Sequence, residues 1–227
     1  MTTWGHVVTE RDVELVRWVG RHGVVSTEQV RARFWAPEPA SWTVRRRLGV
    51  LVAAGLLRAG RPGWRRQSKL WLATASGLRW ASVALRPARL VSWRLSHDLA
   101  LVDLSEQLLS EHVGASWLTE RELAAIRPIR VRLEGGQQHR PDGLLRLTDG
   151  RRYAVELEAS RKTAERLQAI VAAYVWACRG KDAITGVLWY ARPELGASVE
   201  HVRAAVAERG TARDFQIREW RGRRGDS

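Results

Sequence analysis

Near Gly55 the spacing of the apolar residues changes from a helical to a strand-like period. Three segments before this glycine, beginning at Thr9, Ser26 and Ser41, carry apolar residues three and four positions apart, which predicts three short amphipathic helices. Ser26 is followed three residues later by Gln29, a capping-box pattern that marks the start of the second helix. The N-terminal region is therefore predicted to be a compact helical unit.

A basic hairpin is predicted to follow these helices. Two short runs, 56–58 and 69–72, have strand-like composition and enclose Arg61–Arg66, a turn crowded with cations. Thr74 can then cap a fourth helix. Three helices, a hairpin and a helix are the order of a winged helix-turn-helix, so residues 1–85 are predicted to form a winged-helix domain.

The positive charge of the chain is concentrated in this region. Residues 1–92 contain 16 Lys and Arg against 5 Asp and Glu, whereas residues 93–227 contain 22 against 19. Between residues 37 and 89 there are 11 Lys and Arg and one acid, Glu38. An ordinary solvated surface mixes both signs, and a membrane surface would need a basic amphipathic helix with a broad apolar face. Double-stranded DNA is therefore the predicted partner.

Two groups of side chains are predicted to contact DNA. In a winged helix the third helix enters the major groove and the hairpin contacts phosphates. The outward positions of the third helix are Trp42, Arg45, Arg46 and Arg47, and the cations of the hairpin are Arg61, Arg65, Arg66 and Lys69. Winged-helix proteins often form homodimers that match two half-sites, and the sequence leaves a homodimer open because no segment indicates a coiled coil.

The rest of the chain has the pattern of a separate α/β domain. Residues 86–95 are predicted to be a linker or clamp, residues 96–220 a domain with a mixed sheet, and residues 221–227 a basic tail. The predicted elements of this domain are a helix from Ser96, strands over 117–123 and 129–133, a hairpin over 143–157, a helix over 163–178, a strand over 183–191, a helix through Val199, Val202 and Val206, and a strand over 215–220.

The predicted hairpin carries three carboxylates, and its loop decides where they point. With a two-residue loop, Asp142 would face away from Glu156 and Glu158. With the three-residue loop 148–150, Asp142 lies opposite Glu156 and diagonal to Glu158. Only the longer loop collects the apolar residues of both strands on one face, so the three carboxylates are predicted to share the other face.

Carboxylates this close repel one another unless cations are near. Such a cluster suits a hard divalent ion, Mg²⁺ or Mn²⁺, which could activate water against a phosphodiester. The alternative is a solvated sheet face on which the carboxylates pair with Arg146 and Arg152. Glu120 and Glu122 are predicted to be surface strand residues, one of which could complete a metal site, and His139 is predicted to be a turn residue near the cluster.

These residues also resemble a known motif. Pro141–Asp142 followed by Glu156-x-Glu158 at the end of the partner strand resembles the PD-(D/E)XK nuclease fold. Together with the winged helix, four short segments resemble the replication-relaxation family of plasmid and mobile-element proteins. These segments are Ser96–Ala100, Trp117–Glu122, His139–Gly143 and Val155–Glu158. The resemblance covers nearly the whole chain.

The resemblance implies a DNA-binding protein of plasmid or mobile-element replication, mobilisation or transcriptional control, with a nuclease-like C-terminal domain. Asp142 and Glu156 match the two acidic positions of the nuclease motif, but Glu158 stands where the motif has lysine. Lys162, four residues later, could reach back into the site, and these four residues would then be the catalytic set of a metal-dependent endonuclease or nickase. Without that contact the domain would be an inactive scaffold that needs no cofactor, or would bind an ion only structurally.

The sequence lacks the usual features of an exported or membrane protein. No apolar run approaches the roughly 20 residues that cross a bilayer, and the N-terminal residues are not those of a signal peptide. Cys178 is the only cysteine, so no internal disulfide indicates an oxidising compartment. We therefore expect a cytoplasmic protein without a membrane partner, and the charge asymmetry disfavours a module that binds proteins alone.

Overall fold

A computed structural model describes residues 8–35, 41–60, 69–126, 131–133, 136–179, 184–211 and 214–222. These residues form a mixed α/β structure with eight α-helices and a mixed five-stranded sheet, which confirms the predicted fold class. The chain divides into two compact units, Met1–Asp103 and Leu104–Ser227. Within the described ranges, every helix is too short or too polar to span a bilayer.

The helices of the first unit begin where the sequence places their caps. Thr9 and Ser26 each begin a helix within a capping box, and the Thr74 hydroxyl accepts the Gly77 N–H at 3.0 Å at the start of the last helix. The four helices are α1 (Glu10–His22), α2 (Thr27–Phe34), α3 (Ser41–Ala53) and α4 (Ala75–Trp80).

A three-stranded antiparallel sheet completes the first unit. Its strands, β1 (Val25–Ser26), β2 (Leu57–Gly60) and β3 (Leu70–Ala73), lie in the order β1-β3-β2. β2 and β3 form the predicted hairpin, and residues 61–68 between them lie outside the described residues. Gly77 approaches this sheet so closely that a Cβ built on it would lie 2.0 Å from the Leu56 carbonyl oxygen.

The segment 86–95, predicted to be a linker or clamp, lies against the first unit. Ala88 and Leu90 pack on an apolar cluster of that unit, and Arg58 Nη2 donates to the Ala88 carbonyl oxygen at 2.9 Å. The helix α5 (Leu95–Glu111) follows, and the division between the two units falls within it. Apolar packing and a hydrogen bond therefore hold this segment to the first unit.

The second unit is built around the five-stranded sheet, which we call the main sheet. The strands of this unit are β4 (Ser116–Thr119), β5 (Val131–Arg132), β6 (Gln138–His139), β7 (Gly143–Arg146), β8 (Arg152–Glu158), β9 (Gly186–Ala191) and β10 (Phe215–Glu219). Its helices after α5 are α6 (Glu120–Ile126), α7 (Ala164–Ala177) and α8 (Gly196–Glu208), with a 3-10 helix at Pro193–Leu195. The main sheet has the order β10-β9-β8-β7-β4, in which β4, β7 and β8 are antiparallel and β8, β9 and β10 are parallel.

The prediction of a strand over 117–123 is wrong beyond Thr119, where the chain turns into α6. The cause is a capping box: the Glu122 carboxylate accepts the Thr119 N–H at 2.9 Å, and the Thr119 hydroxyl accepts the Glu122 N–H at 3.3 Å. Within the predicted strand over 129–133, Val131–Arg132 form β5, which pairs with β6 in a separate two-stranded sheet. Residues 127–130 lie outside the described residues.

Helices α7 and α8 cover one face of the main sheet. The residues of α7 that the sequence predicts to face inward are all buried: Leu167, Ile170, Val171 and Tyr174. They belong to an apolar cluster that includes Leu144 and Ala154 of the β7–β8 hairpin. Leu145 and Val155, which alternate with these two residues, are buried as well. Both faces of the hairpin therefore carry buried side chains.

In the first unit, a buried carboxylate of α1 pairs with an arginine of α3. Asp12 has no exposed surface, and it accepts hydrogen bonds from Arg47 Nε and from the Thr9 N–H, both at 2.8 Å. Burial raises the pKa of the Asp12 carboxyl, but the hydrogen bonds from Arg47 and Thr9 outweigh burial and hold that pKa below its ordinary value. The Arg47 side chain is only 21% exposed, so the prediction that it points outward is wrong.

Replacing Arg47 with alanine should destabilise the protein far more than replacing its neighbour Arg46. Arg47→Ala leaves the Asp12 carboxylate buried without this guanidinium, and breaking a buried ion pair costs about 3–5 kcal/mol. Arg46 is exposed, so Arg46→Ala should change the free energy of unfolding by less than about 0.5 kcal/mol. Urea denaturation followed by circular dichroism measures both values, and equal losses would contradict a structural role for the pair.

Candidate nucleic-acid interface and carboxylate cluster

Helix α3 has one buried and one exposed face. Of the four residues that the apolar spacing places on the inward face, Val52 is partly buried and the other three are buried: Val44, Leu48 and Leu51. On the other face, Trp42 is 62% exposed and stands beside Arg45 and Arg46, which are also exposed. We call these three residues the α3 surface. Arginine binds phosphates and base edges and an indole ring stacks on bases, so this combination is chemically suited to nucleic acid.

The other predicted DNA contacts have different outcomes. Arg47 is turned toward Asp12 and contributes to the interior of the first unit. Lys69, directly before β3, is exposed. The remaining predicted contacts lie outside the described residues: Arg61, Arg65 and Arg66. The described part of the interface therefore consists of the α3 surface and Lys69.

The β7–β8 hairpin has the predicted register. Gly143 pairs with Val155, which places Asp142 opposite Glu156. The loop between the strands has three residues, and the last of them, Gly150, has a φ of 87°. A glycine in the left-handed region at the end of a three-residue loop is the expected geometry. The prediction of this loop is confirmed, and the three carboxylates lie on one face of the hairpin.

The carboxylate cluster, Asp142, Glu156 and Glu158, lies on the sheet face that α7 covers. Glu156 is 5% exposed and Glu158 is 1% exposed. They lie two and four positions after Ala154 and so share its face of β8, and Ala154 packs in the apolar cluster beneath α7. The alternative of a solvated sheet face is therefore wrong, because a helix and not water covers the two glutamates.

Asp142 has a backbone partner at the end of the hairpin. Its Oδ2 accepts the Leu157 N–H at 2.8 Å, so the side chain provides an acceptor just before β7 begins. The next residue, Gly143, lies directly against the Trp117 ring, and a Cβ built on it would be 1.9 Å from that ring. The packing of Trp117 therefore requires glycine after the aspartate.

Glu156 is held by two polar side chains. Its Oε1 lies 2.8 Å from His139 Nε2 and accepts the Tyr174 hydroxyl. Burial raises the pKa of the Glu156 carboxyl, the charge of Asp142 acts in the same direction, and the contacts with His139 and Tyr174 only partly offset them. Burial and the charge of Glu156 also raise the pKa of the Tyr174 hydroxyl well above its ordinary value. Tyr174 therefore remains a hydrogen-bond donor to the cluster.

Lys162 reaches the carboxylate cluster, as its spacing predicts. Its Nζ lies 2.6 Å from Glu158 Oε1. The other oxygen of this carboxylate, Oε2, is buried without a hydrogen-bond partner. Leaving a buried carboxylate oxygen unsatisfied costs free energy, and such atoms occur where a protein binds an ion or a substrate. Glu158 Oε2 is therefore an atom of the cluster that a bound ion or polar ligand would satisfy.

The chemistry of the cluster suits a hard divalent cation, because its donors are carboxylate oxygens. In the described ranges, however, no group of three or more His, Cys, Asp or Glu side chains is placed to hold a metal ion. Glu156 Oε1 is engaged by both His139 and Tyr174. Binding of Mg²⁺ or Mn²⁺ to Glu156 Oε1 would therefore require these two partners to give up their contacts with it.

Glu120 and Glu122 belong to α6 and not to a strand, which corrects the sequence prediction. The Glu122 carboxylate caps this helix through Thr119. Glu120 Oε1 lies 3.8 Å from Arg140 Nη1 and is about a quarter exposed, at 26%. Both carboxylates therefore have partners at the start of α6.

The raised pKa of Glu156 predicts a pH-dependent effect of its neutral analogue. Between the unfolded and the folded pKa the folded protein retains a proton that the unfolded chain releases, so stability falls as pH rises through this interval. Glu156→Gln removes the titration and keeps an acceptor for Tyr174. The variant should therefore have a higher Tm than the wild type at pH 8, and the difference should vanish below about pH 4.

Thermal unfolding at several pH values, in the presence of a chelator, measures this difference. Glu120→Gln is the matched control, because it makes the same substitution at a partly exposed carboxylate outside the cluster. A lower Tm for Glu156→Gln than for the wild type at pH 8 would contradict the raised pKa.

A family comparison covers both units of the chain. The family model described as replication-relaxation matches residues 16–186 of the 227, a range that includes α3, the carboxylate cluster and Lys162. No curated protein and no solved structure matches the chain. Because the family match extends over most of the sequence, the protein belongs to the replication-relaxation family.

Proposed function

We propose that this protein binds duplex DNA and acts in the replication or relaxation of plasmid or mobile-element DNA. Membership of the replication-relaxation family supports the general role. The finer proposal is that the first unit is a winged helix whose α3 enters the major groove. The order of α1, α2, α3, the β2–β3 hairpin and α4, with β1 added beside β3, supports this assignment.

The α3 surface is the observation that carries this proposal. Trp42, Arg45 and Arg46 project from one exposed stretch of a helix whose other face is buried in the first unit. No Asp or Glu occurs between residues 39 and 97, so no nearby acid along the chain offsets these cations. Arginine forks on a helix of this kind can bind guanine edges and phosphates.

Replacing Arg45 and Arg46 together with alanine should weaken DNA binding about tenfold or more. A bidentate arginine contact with a base is worth about 1–3 kcal/mol, and each lost phosphate contact also lowers the salt dependence of binding. A gel shift with a mixed-sequence duplex at two salt concentrations measures both quantities. Arg47 is left unchanged, because its loss would destabilise the fold.

The control for this experiment is the double variant Arg79→Ala/Arg89→Ala. These two arginines are exposed in the first unit but lie outside α3, and their removal changes the net charge by the same amount. The control should retain most of the affinity. Equal weakening by both double variants would show that net charge alone governs binding, and would reject α3 as the recognition helix.

A metal-dependent DNA endonuclease or nickase is the second candidate function. The contact of Lys162 with Glu158, and the unpartnered Oε2 of that carboxylate, favour it. Mg²⁺ or Mn²⁺ held by Asp142, Glu156 and Glu158 would supply a Lewis acid and an activated water. Lys162 would then supply the positive charge that the related nuclease motif carries at the position of Glu158.

The endonuclease candidate is tested with supercoiled plasmid and either Mg²⁺ or Mn²⁺. The wild type should produce nicked or linear DNA, and Asp142→Asn and Lys162→Ala should each slow this about a hundredfold or more. Glu120→Gln should cleave at the rate of the wild type. Absence of cleavage by the wild type with both ions would reject the endonuclease. It would not affect the DNA-binding proposal, which the gel shift tests separately.

A further inference from the structure

The indole ring of Trp93 projects into solvent from the segment 86–95 of the first unit. Trp93 is 84% exposed, the largest value among the tryptophans that the structure describes, six of which are buried. An indole ring has a large apolar area, and burying it stabilises a fold. The exposed position of this ring therefore contributes little to the stability of the first unit.

The backbone on both sides of Trp93 is anchored. The Arg94 N–H donates to the Val91 carbonyl oxygen at 3.1 Å, which closes a turn that contains Trp93. Before this turn, Leu90 packs on an apolar cluster of the first unit, and after it Leu95, which is 1% exposed, belongs to the same cluster. The turn therefore holds the indole at a fixed position on the surface, so that a ligand would not have to order the chain that carries it.

The surroundings of Trp93 are basic and polar. The segment 86–95 contains three arginines and no acid, and Ser92, directly before Trp93, is exposed. The guanidinium of Arg94 lies 5.8 Å from the centroid of the Trp93 ring, and Arg94 Nε also pairs with Asp98 Oδ1 at 3.5 Å. An aromatic side chain that binds a protein lies at the centre of a desolvated contact. An exposed indole in a positive field suits a base that is attached to phosphates.

The form of DNA that suits Trp93 follows from what the face of an indole can contact. In a duplex the base pairs are stacked on one another, and the grooves present only their edges. In a single strand the faces of the bases are accessible, and each base can stack on an aromatic side chain whatever the sequence. Trp93 therefore fits an unpaired base better than a base pair.

We propose that Trp93 stacks on a base of single-stranded DNA. The inference rests on the proposed DNA-binding function and adds a second form of DNA, bound at the turn before α5 and not by α3. The phosphates of the strand would lie in the positive field of the segment 86–95. Single-stranded and duplex DNA would then contact different residues of the first unit.

Fluorescence anisotropy of the full chain with a labelled oligothymidine of about 15 nucleotides tests the proposal. Trp93→Ala should weaken binding about fivefold or more, which is the contribution of one stacked base. Trp93→Phe should retain most of the affinity, whereas Trp93→Leu, which is apolar but has no ring, should lose as much as Trp93→Ala. None of these variants changes the net charge, so a lost affinity does not come from weaker attraction of the phosphates.

The matched control is Trp176→Ala. Trp176 is also well exposed, at 64%, but it belongs to α7 in the second unit. This variant should bind the oligothymidine as the wild type does. A strand of the same length without bases provides a second control, because the wild type and Trp93→Ala should bind it equally when no base is present to stack.

Three results would overturn the proposal. They are equal binding of the oligothymidine by the wild type and Trp93→Ala, full affinity of Trp93→Leu, and equal weakening of single-stranded and duplex binding by Trp93→Ala. The first result would favour a protein as the partner of the exposed indole, and the last would assign Trp93 to the duplex interface. Thermal unfolding of each variant should give the Tm of the wild type, because the replaced ring is exposed.

A gel shift of the wild type with a duplex separates this inference from the proposed function. Binding of the duplex without binding of the oligothymidine would reject the role of Trp93 and would leave the proposed function intact. Binding of neither form of DNA would reject both.

Discussion

The register of the β7–β8 hairpin is the constraint on which the carboxylate cluster depends. A shift by one residue would exchange the two faces of a strand and would move both glutamates of β8 away from α7. Gly150 fixes the register, since its φ of 87° closes a three-residue loop that residues with a Cβ adopt at a cost. With the register set, each carboxylate meets a different partner: the Leu157 N–H for Asp142, His139 and Tyr174 for Glu156, and Lys162 for Glu158.

The two buried glutamates are stabilised in different ways. Glu156 meets a tyrosine hydroxyl and an imidazole, and burial with the charge of Asp142 still raises its pKa. Glu158 meets the ammonium group of Lys162 and keeps one oxygen without a partner. Apolar residues at both positions would be expected to pack more favourably, because burying a charge costs free energy even when it is paired. Carboxylates retained in different environments on one sheet face are typical of a functional site, at which proteins give up some stability.

Strongly periodic segments and local turn chemistry could be predicted from the sequence. The predictions of the inward face of α7 and of the three-residue loop are correct, because both features are determined locally. The spacing of the apolar residues determines the first, and a glycine determines the second. The strand over 117–123 is wrong beyond Thr119, since its alternation outweighed the Thr119-x-x-Glu122 capping signal in the same residues. The contact between Tyr174 and Glu156 could not be predicted, because the two residues are 18 positions apart and Tyr174 fits the apolar stripe of α7. The burial of the cluster could not be predicted either, because an acidic strand face suggests contact with solvent until a helix is known to cover it.

The arginines of the first unit show why charge counting overstates a DNA interface. Arg47 compensates a buried aspartate, Arg17 binds Glu14 and a carbonyl oxygen, and Arg58 holds the segment 86–95. These side chains contribute to the long-range field that attracts an anion, but their hydrogen bonds are committed within the protein. Beyond about 10 Å the field is screened by salt, so the choice of ligand falls to the groups at the surface. The α3 surface presents an exposed indole beside two exposed arginines there. Substitutions of single arginines can therefore distinguish side chains that hold the fold from side chains that face a ligand, whereas net charge cannot.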